Sequence, residues 1–108
     1  MKTFIARNAA GKPLEVEQLA TFAASIQGEQ FRFVVTREAM QAMPVVTHRA
    51  SGYKVCTISG TSRAAAMGNW AEAGKRALRN LVTDKGEARV ASALRDAEAK
   101  ATNGAGKA

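Results

Sequence analysis

The stretch PLEVEQLATFAASI, from Pro13 to Ile26, decides how this chain is read. Leu14, Val16, Leu19, Phe22, Ala23 and Ile26 recur at helical spacing, and Glu15, Glu17 and Gln18 fall largely off that stripe. Pro13 suits a first helical turn, where its missing N–H has no partner to lose, and Gly28 follows the last periodic residue as a helix stop would. The spacing predicts a helix over residues 14–26.

Working outward, Lys2 to Ala6 alternates loosely and reads as a short strand, and residues 8–13 supply turn chemistry around Gly11 and Pro13. FRFVVT, Phe31 to Thr36, is aromatic and β-branched with Phe31, Phe33 and Val35 on one face, which predicts a strand. Residues 37–43 allow a helical turn, although Pro44 disfavours helix at the residue before it. Two further strands are predicted at Val45–Ala50 and Tyr53–Ser59. With Ser51-Gly52 as a two-residue loop, Arg49 faces Lys54, Thr47 faces Cys56 and Val45 faces Ile58.

Gly60-Thr61 can form a second tight turn that sends Ser62–Met67 back as a strand. A helix from Ser62 competes, since Ala64, Ala65 and Ala66 favour helix. The hairpin is preferred because a better helix start lies later: Asn69 and Glu72 have capping-box spacing, and Trp70, Ala73, Ala77, Leu78, Leu81 and Val82 form an apolar stripe over 70–83. A last helix over about 85–100 has only Val90 and Leu94 as large apolar residues, so weak docking is expected. The expected architecture is α+β, an antiparallel sheet of three to five strands packed against two helices, with an extra weakly docked C-terminal helix. Residues 1–101 are expected to form a single domain and 102–108 a disordered tail.

The 108 residues suffice for one core, and a hydrophobic share of 46% with 23% charged residues is ordinary for a globular domain. No apolar run approaches the roughly 18 residues of a membrane span, and the first residues lack a signal-peptide core. The single cysteine allows no intramolecular disulfide, so a cytoplasmic setting is expected.

Catalytic and metal chemistry find few ingredients. His48 is the only histidine and Cys56 the only cysteine, and the hairpin register above puts them on opposite faces, so no Cys-His dyad is expected and Cys56 reads as a small core residue. One histidine and one cysteine cannot supply the three or four ligands of a zinc site. The expectation is a protein that is not an enzyme and needs no cofactor or metal.

The charge points to a polyanion. The chain carries 16 basic and 9 acidic residues, a net charge of +7 and a pI near 10.2. The excess sits in residues 32–79, where eight cations face only Glu38 and Glu72. Arg49, Lys54, Arg63, Lys75, Arg76 and Arg79 are the candidate binding residues, on a hairpin tip and one helix face. Lys75 with Arg79 and Arg49 with Lys54 are like-charge pairs that an anion would relieve. The alternative for each is a solvated surface. Trp70 is core if it lies beneath its helix, and a stacking or interface anchor if exposed.

The order helix, three or four antiparallel strands, helix over residues 13–83 resembles the double-stranded-RNA-binding domain, an α-β-β-β-α fold. Leu14 to Leu19 matches the start of its first helix and Phe31 to Val35 its first strand. His48, ahead of the strand from Tyr53, matches its loop histidine. Ala73, Ala77, Leu78, Leu81 and Val82 match its last helix. That helix in the family opens with a lysine-rich pattern; the corresponding residues 69–74 here are NWAEAG, and the cations follow at Lys75, Arg76 and Arg79. The resemblance implies shape recognition of duplex RNA through phosphates and 2′-hydroxyls. The function expected is non-catalytic nucleic-acid binding. The alternatives are a small inhibitor or adaptor, of the kind mobile elements often encode, docking on an acidic protein surface or augmenting a partner's sheet, and a homodimer.

Overall fold

The computed structural model describes residues 2–8, 10–38 and 43–106, with side chains up to Lys100. The segment 37–43, read as a candidate helical turn, lies mostly outside the described residues.

Among the described residues five strands come first: β1 (Thr3–Arg7), β2 (Pro13–Ile26), β3 (Glu29–Arg37), β4 (Val45–His48) and β5 (Lys54–Thr57). They form one antiparallel meander in the order β1-β2-β3-β4-β5. Three helices follow, α1 (Gly60–Ala65), α2 (Trp70–Lys85) and α3 (Glu87–Gly106). The class is α+β, as expected, but the helices are not all the predicted ones.

Residues 14–26 are a strand and not a helix. β2 pairs with β3 from Ile26↔Glu29 to Glu17↔Arg37, interrupted by a bulge between Gln18 and Ala20. The bulge shifts the phase of alternation. Before it, Leu14 and Val16 face a hollow on one side of the sheet; beyond it, Phe22 and Ile26 join the core on the other. That phase slip inserts three-residue steps between apolar positions, which imitates a helical stripe. Gly28 is not a helix stop either. Gln27 and Gly28 have φ of 55° and 80° and close the β2–β3 hairpin as the two central residues of a turn with positive φ at both, the type I′ pattern. The helix-first order of the resemblance is therefore replaced by strands.

The β4–β5 register also differs. Thr47 pairs with Lys54, Val46 with Cys56 and Val45 with Thr57, with a bulge between Val46 and Thr47. The loop is longer than two residues because the Gly52 N–H folds back onto the His48 carbonyl at 2.7 Å and the His48 N–H reaches the Tyr53 carbonyl at 2.9 Å. Arg49 therefore does not face Lys54. The Arg7 N–H donates to the Gly52 carbonyl at 2.7 Å, tying the end of β1 to this turn and curling the sheet.

Residues 60–65 are helix, not a returning strand. Ser59 accepts a hydrogen bond from the Ser62 N–H at 3.1 Å and caps α1, while Asn69 accepts one from the Glu72 N–H at 3.1 Å and caps α2. The later cap did not preclude an earlier one. The predicted helix at 70–83 is α2, and the last helix, for which weak docking was expected, is α3, with Val90, Ala91 and Leu94 buried.

The core lies between the sheet and the helices. Phe22 and Phe33 stack at 5.2 Å between centroids, and Phe31, Val35, Val46 and Ile58 extend the layer against Ala73, Ala77, Leu78 and Leu94. α2 approaches β2 and β3 closely because Gly74 has no side chain: a Cβ there would fall 2.6 Å from a Phe22 ring carbon and 2.8 Å from a Val35 methyl. No helix of the described residues is long and apolar enough to cross a membrane.

Candidate functional site

α2 turns Ala73, Gly74, Ala77 and Leu78 to the sheet, so its outward face consists of Glu72, Lys75, Arg76 and Arg79. Lys75 and Arg79 are exposed, and among the described residues no carboxylate pairs with either. Arg76 is half-buried. Its Nε lies 3.7 Å from Glu72 Oε1, beyond hydrogen-bond reach, and has no hydrogen-bond partner among the described residues. Arg63, on α1, places its guanidinium carbon 5.0 Å from the centre of the Trp70 ring, a cation–π contact. Trp70 itself is half-buried and packs on the core, so it serves both as core and as a platform for Arg63.

The other two predicted residues stand apart from this helical group. Arg49 is exposed in the turn after β4, and its N–H donates to the Arg32 carbonyl at 3.0 Å. Lys54 is exposed at the start of the edge strand β5, opposite Thr47. The fold thus puts Lys75, Arg76 and Arg79 on the outward face of α2, sets Arg63 on α1 against Trp70 at the start of α2, and leaves Arg49 and Lys54 at the β4–β5 end of the sheet.

That end of the sheet holds a buried polar chain. His48 is 1% exposed, with its ring between Phe31 and Phe33 at 6.1 and 6.0 Å. Its Nε2 lies 3.0 Å from Glu98 Oε1 on α3, and its Nδ1 lies 2.8 Å from Ser51 Oγ. A carboxylate only accepts, so Nε2 carries the proton and Nδ1 accepts from the Ser51 hydroxyl. Burial lowers the His48 pKa below its ordinary value, while the hydrogen bond and charge of Glu98 pull it back up.

A serine–histidine–carboxylate chain has the makings of a nucleophile relay. Here, however, the neighbouring amides are engaged: Gly52 N–H with His48 O, His48 N–H with Tyr53 O, and Tyr53 N–H with Ser51 Oγ at 3.3 Å. None of these points at a position where an oxyanion would form. With Ser51 2% exposed, the chain works as a strut that fastens α3 to the sheet.

Cys56 pairs with Val46 and packs against the core face that also holds His48, so the two are not on opposite faces as the predicted register had it. They form no dyad because both His48 nitrogens are committed elsewhere. Burial pushes the Cys56 thiol up to about 11, with a smaller opposing pull from Lys54. Such a thiol is a poor nucleophile near neutral pH.

Two concavities flank β5. One, of about 660 Å³, is the hollow of the curled sheet, where the Thr36 and Thr47 hydroxyls meet at 3.0 Å. The other, of about 260 Å³, lies between β5 and the α2–α3 elbow and includes His48, Ser51, Lys54, Lys85 and Arg89 in its lining. Among the described residues no group of three or more His, Cys, Asp or Glu side chains could hold a metal.

Ser51, Lys85, Arg89 and Glu98 were missed as site residues. Glu98 left a signal: it falls on the same side of its helix as Ala91 and Leu94, and an acid on an apolar stripe asks for a buried partner. No family model, no curated relative and no solved structure matches this chain.

Proposed function

We propose that the chain is a non-catalytic nucleic-acid-binding protein, working in the cytoplasm, that uses the outer surface of α1 and α2. The observation that carries this reading is Lys75, Arg76 and Arg79 together on the outward face of α2 against a single nearby acid, Glu72, with Arg63 on the neighbouring α1. Bringing like charges together on one helix face costs free energy in water, and phosphate oxygens relieve it. The arginines supply planar forks for phosphate and Lys75 a point charge, and the Arg63–Trp70 pair adds an aromatic surface at the rim. Contacts of this kind position a backbone and carry no sequence information.

Titration against duplex RNA, duplex DNA and a single strand at 50 and 200 mM salt tests it. Three phosphate contacts give a loss of about 40-fold in affinity for duplex over that range. Affinity that does not change with salt contradicts the reading.

Docking on an acidic protein surface is the second reading, and one feature favours it. Met67, at the turn joining α1 to α2, is 91% exposed with φ of 53°, which presents an apolar side chain to solvent between the two helices that carry the cations. Met67→Ser weakens a protein complex and leaves nucleic-acid affinity unchanged.

A further inference from the structure

The cleft between β5 and the α2–α3 elbow is used by neither of these readings. Val55 on β5, Leu81 on α2, and Val90 and Leu94 on α3 form its walls, and the small side chains of Ala93 and Ala97 leave its mouth open. Its volume of about 260 Å³ is below the range of drug-sized sites, roughly 300–1,000 Å³. It is well above the roughly 150 Å³ that suffices for benzene. The guest is therefore small.

Two observations fix its chemistry. The polar atoms nearest the apolar walls, His48 and Ser51, already satisfy each other, Glu98 and the Tyr53 amide. A guest with polar edges, such as a nucleobase, would bury groups without partners, so the inserted part must be hydrocarbon. The lining also carries cations from three different elements, Lys85 of α2, Arg89 of α3 and, on the edge strand β5, Lys54, which borders the hollow as well, and no carboxylate. All three are exposed. Only Lys85 has a carboxylate near it among the described residues, Asp84 at 3.7 Å, and that pair is open to solvent. An apolar cleft with cations from three elements complements an apolar tail with a negative head.

We infer that this cleft binds a small amphipathic carboxylate, a short acyl chain held between α2, α3 and β5 with its carboxylate among Lys54, Lys85 and Arg89. The chain displaces water from Val55, Leu81, Val90 and Leu94, and the head accepts charge-assisted hydrogen bonds from the basic side chains. None of Arg63, Lys75, Arg76 and Arg79 lines the cleft, so this site and the helical surface stand or fall separately.

The test is an amide NMR titration of the full chain with sodium octanoate, octan-1-ol and octylammonium chloride. Octanoate should shift the amides of Val55, Leu81 and Leu94, with octanol at least about tenfold weaker and octylammonium without effect. Ala93→Phe should abolish octanoate binding by filling the mouth. Should that variant fail to fold, Lys54→Ala with Arg89→Ala provides an independent arm, lowering octanoate affinity about tenfold while leaving octanol unchanged. Four results overturn the inference: no octanoate binding at millimolar concentration, shifts that map elsewhere, equal binding of octanol or octylammonium, or unchanged octanoate affinity in a folded Ala93→Phe or in the Lys54/Arg89 pair.

Discussion

β2 and α2 meet face to face across the core, and they distribute their apolar residues in opposite ways. α2 keeps one stripe of Ala73, Gly74, Ala77 and Leu78 against the sheet along its length and gives its other side to solvent. β2 serves two compartments, the hollow of the curled sheet with Leu14 and Val16 and the main core with Phe22 and Ile26, changing face at the bulge near Leu19. A helix keeps its apolar residues on one stripe, whereas a bulged strand divides them between two faces. Spacing in sequence reports only the sum of those commitments, and that is why the two segments look alike before the chain folds.

The packing between the two regions supplies the largest expected effect. Phe22→Ala removes a buried ring that stacks on Phe33 and touches α2, and should cost about 3–5 kcal/mol in chemical denaturation. A loss under 1 kcal/mol would break the claim that the second half of β2 faces the helices.

Gly74→Ala sharpens the same comparison from the α2 side. Helix propensity alone favours alanine by up to about 1 kcal/mol. The added methyl meets Phe22 at 2.6 Å and Val35 at 2.8 Å, so net destabilisation of about 1–3 kcal/mol is expected. The cost should shrink in a Phe22→Ala background, where a double-mutant cycle reads the coupling directly. Stabilisation by Gly74→Ala would mean that α2 rides further from the sheet.

Asn69→Ala should cost about 1 kcal/mol by removing the acceptor for the Glu72 N–H, measured as a lower thermal midpoint. β2 has no comparable cap, and a substitution of Ser25 to Ala, in the exposed face of the strand, should be near neutral.

The smallest effect concerns the strut from β4 to α3. Burial lowers the His48 pKa in the folded state below its unfolded value near 6.5, so the unfolded chain binds the proton more readily. Stability is therefore complete above about pH 6.5 and declines as pH falls below it. The decline should be shallower in His48→Gln, compared by denaturant melts between pH 7.5 and 5.5. An equal slope in the two chains would show that His48 is not the group responsible.

Much of the fold was legible. The Phe31–Thr36 strand, the Asn69–Glu72 cap and the stripe from Trp70 to Val82 each had local chemistry that admits one element. β2 was not legible, because a bulge is set by pairing with β3 and leaves no mark of its own in Ala-rich sequence. Its turn was nearer to hand: Gln27-Gly28 between apolar runs is a hairpin sign that the glycine's position after a helical stripe concealed. α1 was missed because the helix propensity of Ala64–Ala66 was set against the clearer start at Asn69 as though one helix excluded the other, and the Ser59 cap was not read. The helical cations were readable from charge and period alone, whereas the His48–Glu98 pair, fifty positions apart, exists only once α3 docks.

The outward basic face of α2 is the surface on which the proposed binding rests, and a comparison of salt slopes tests it most directly. Affinity for duplex nucleic acid is measured across a salt series for the native chain, for a Lys75→Ala, Arg76→Ala, Arg79→Ala variant, and for an Arg49→Ala, Lys54→Ala variant. Removing one phosphate interaction should reduce the logarithmic slope by about 0.9. The helical variant should therefore lose nearly all of the slope and most of the affinity, while the hairpin variant keeps both. A helical variant that binds like the native chain, or a hairpin variant that abolishes binding, would contradict a nucleic-acid site on α2.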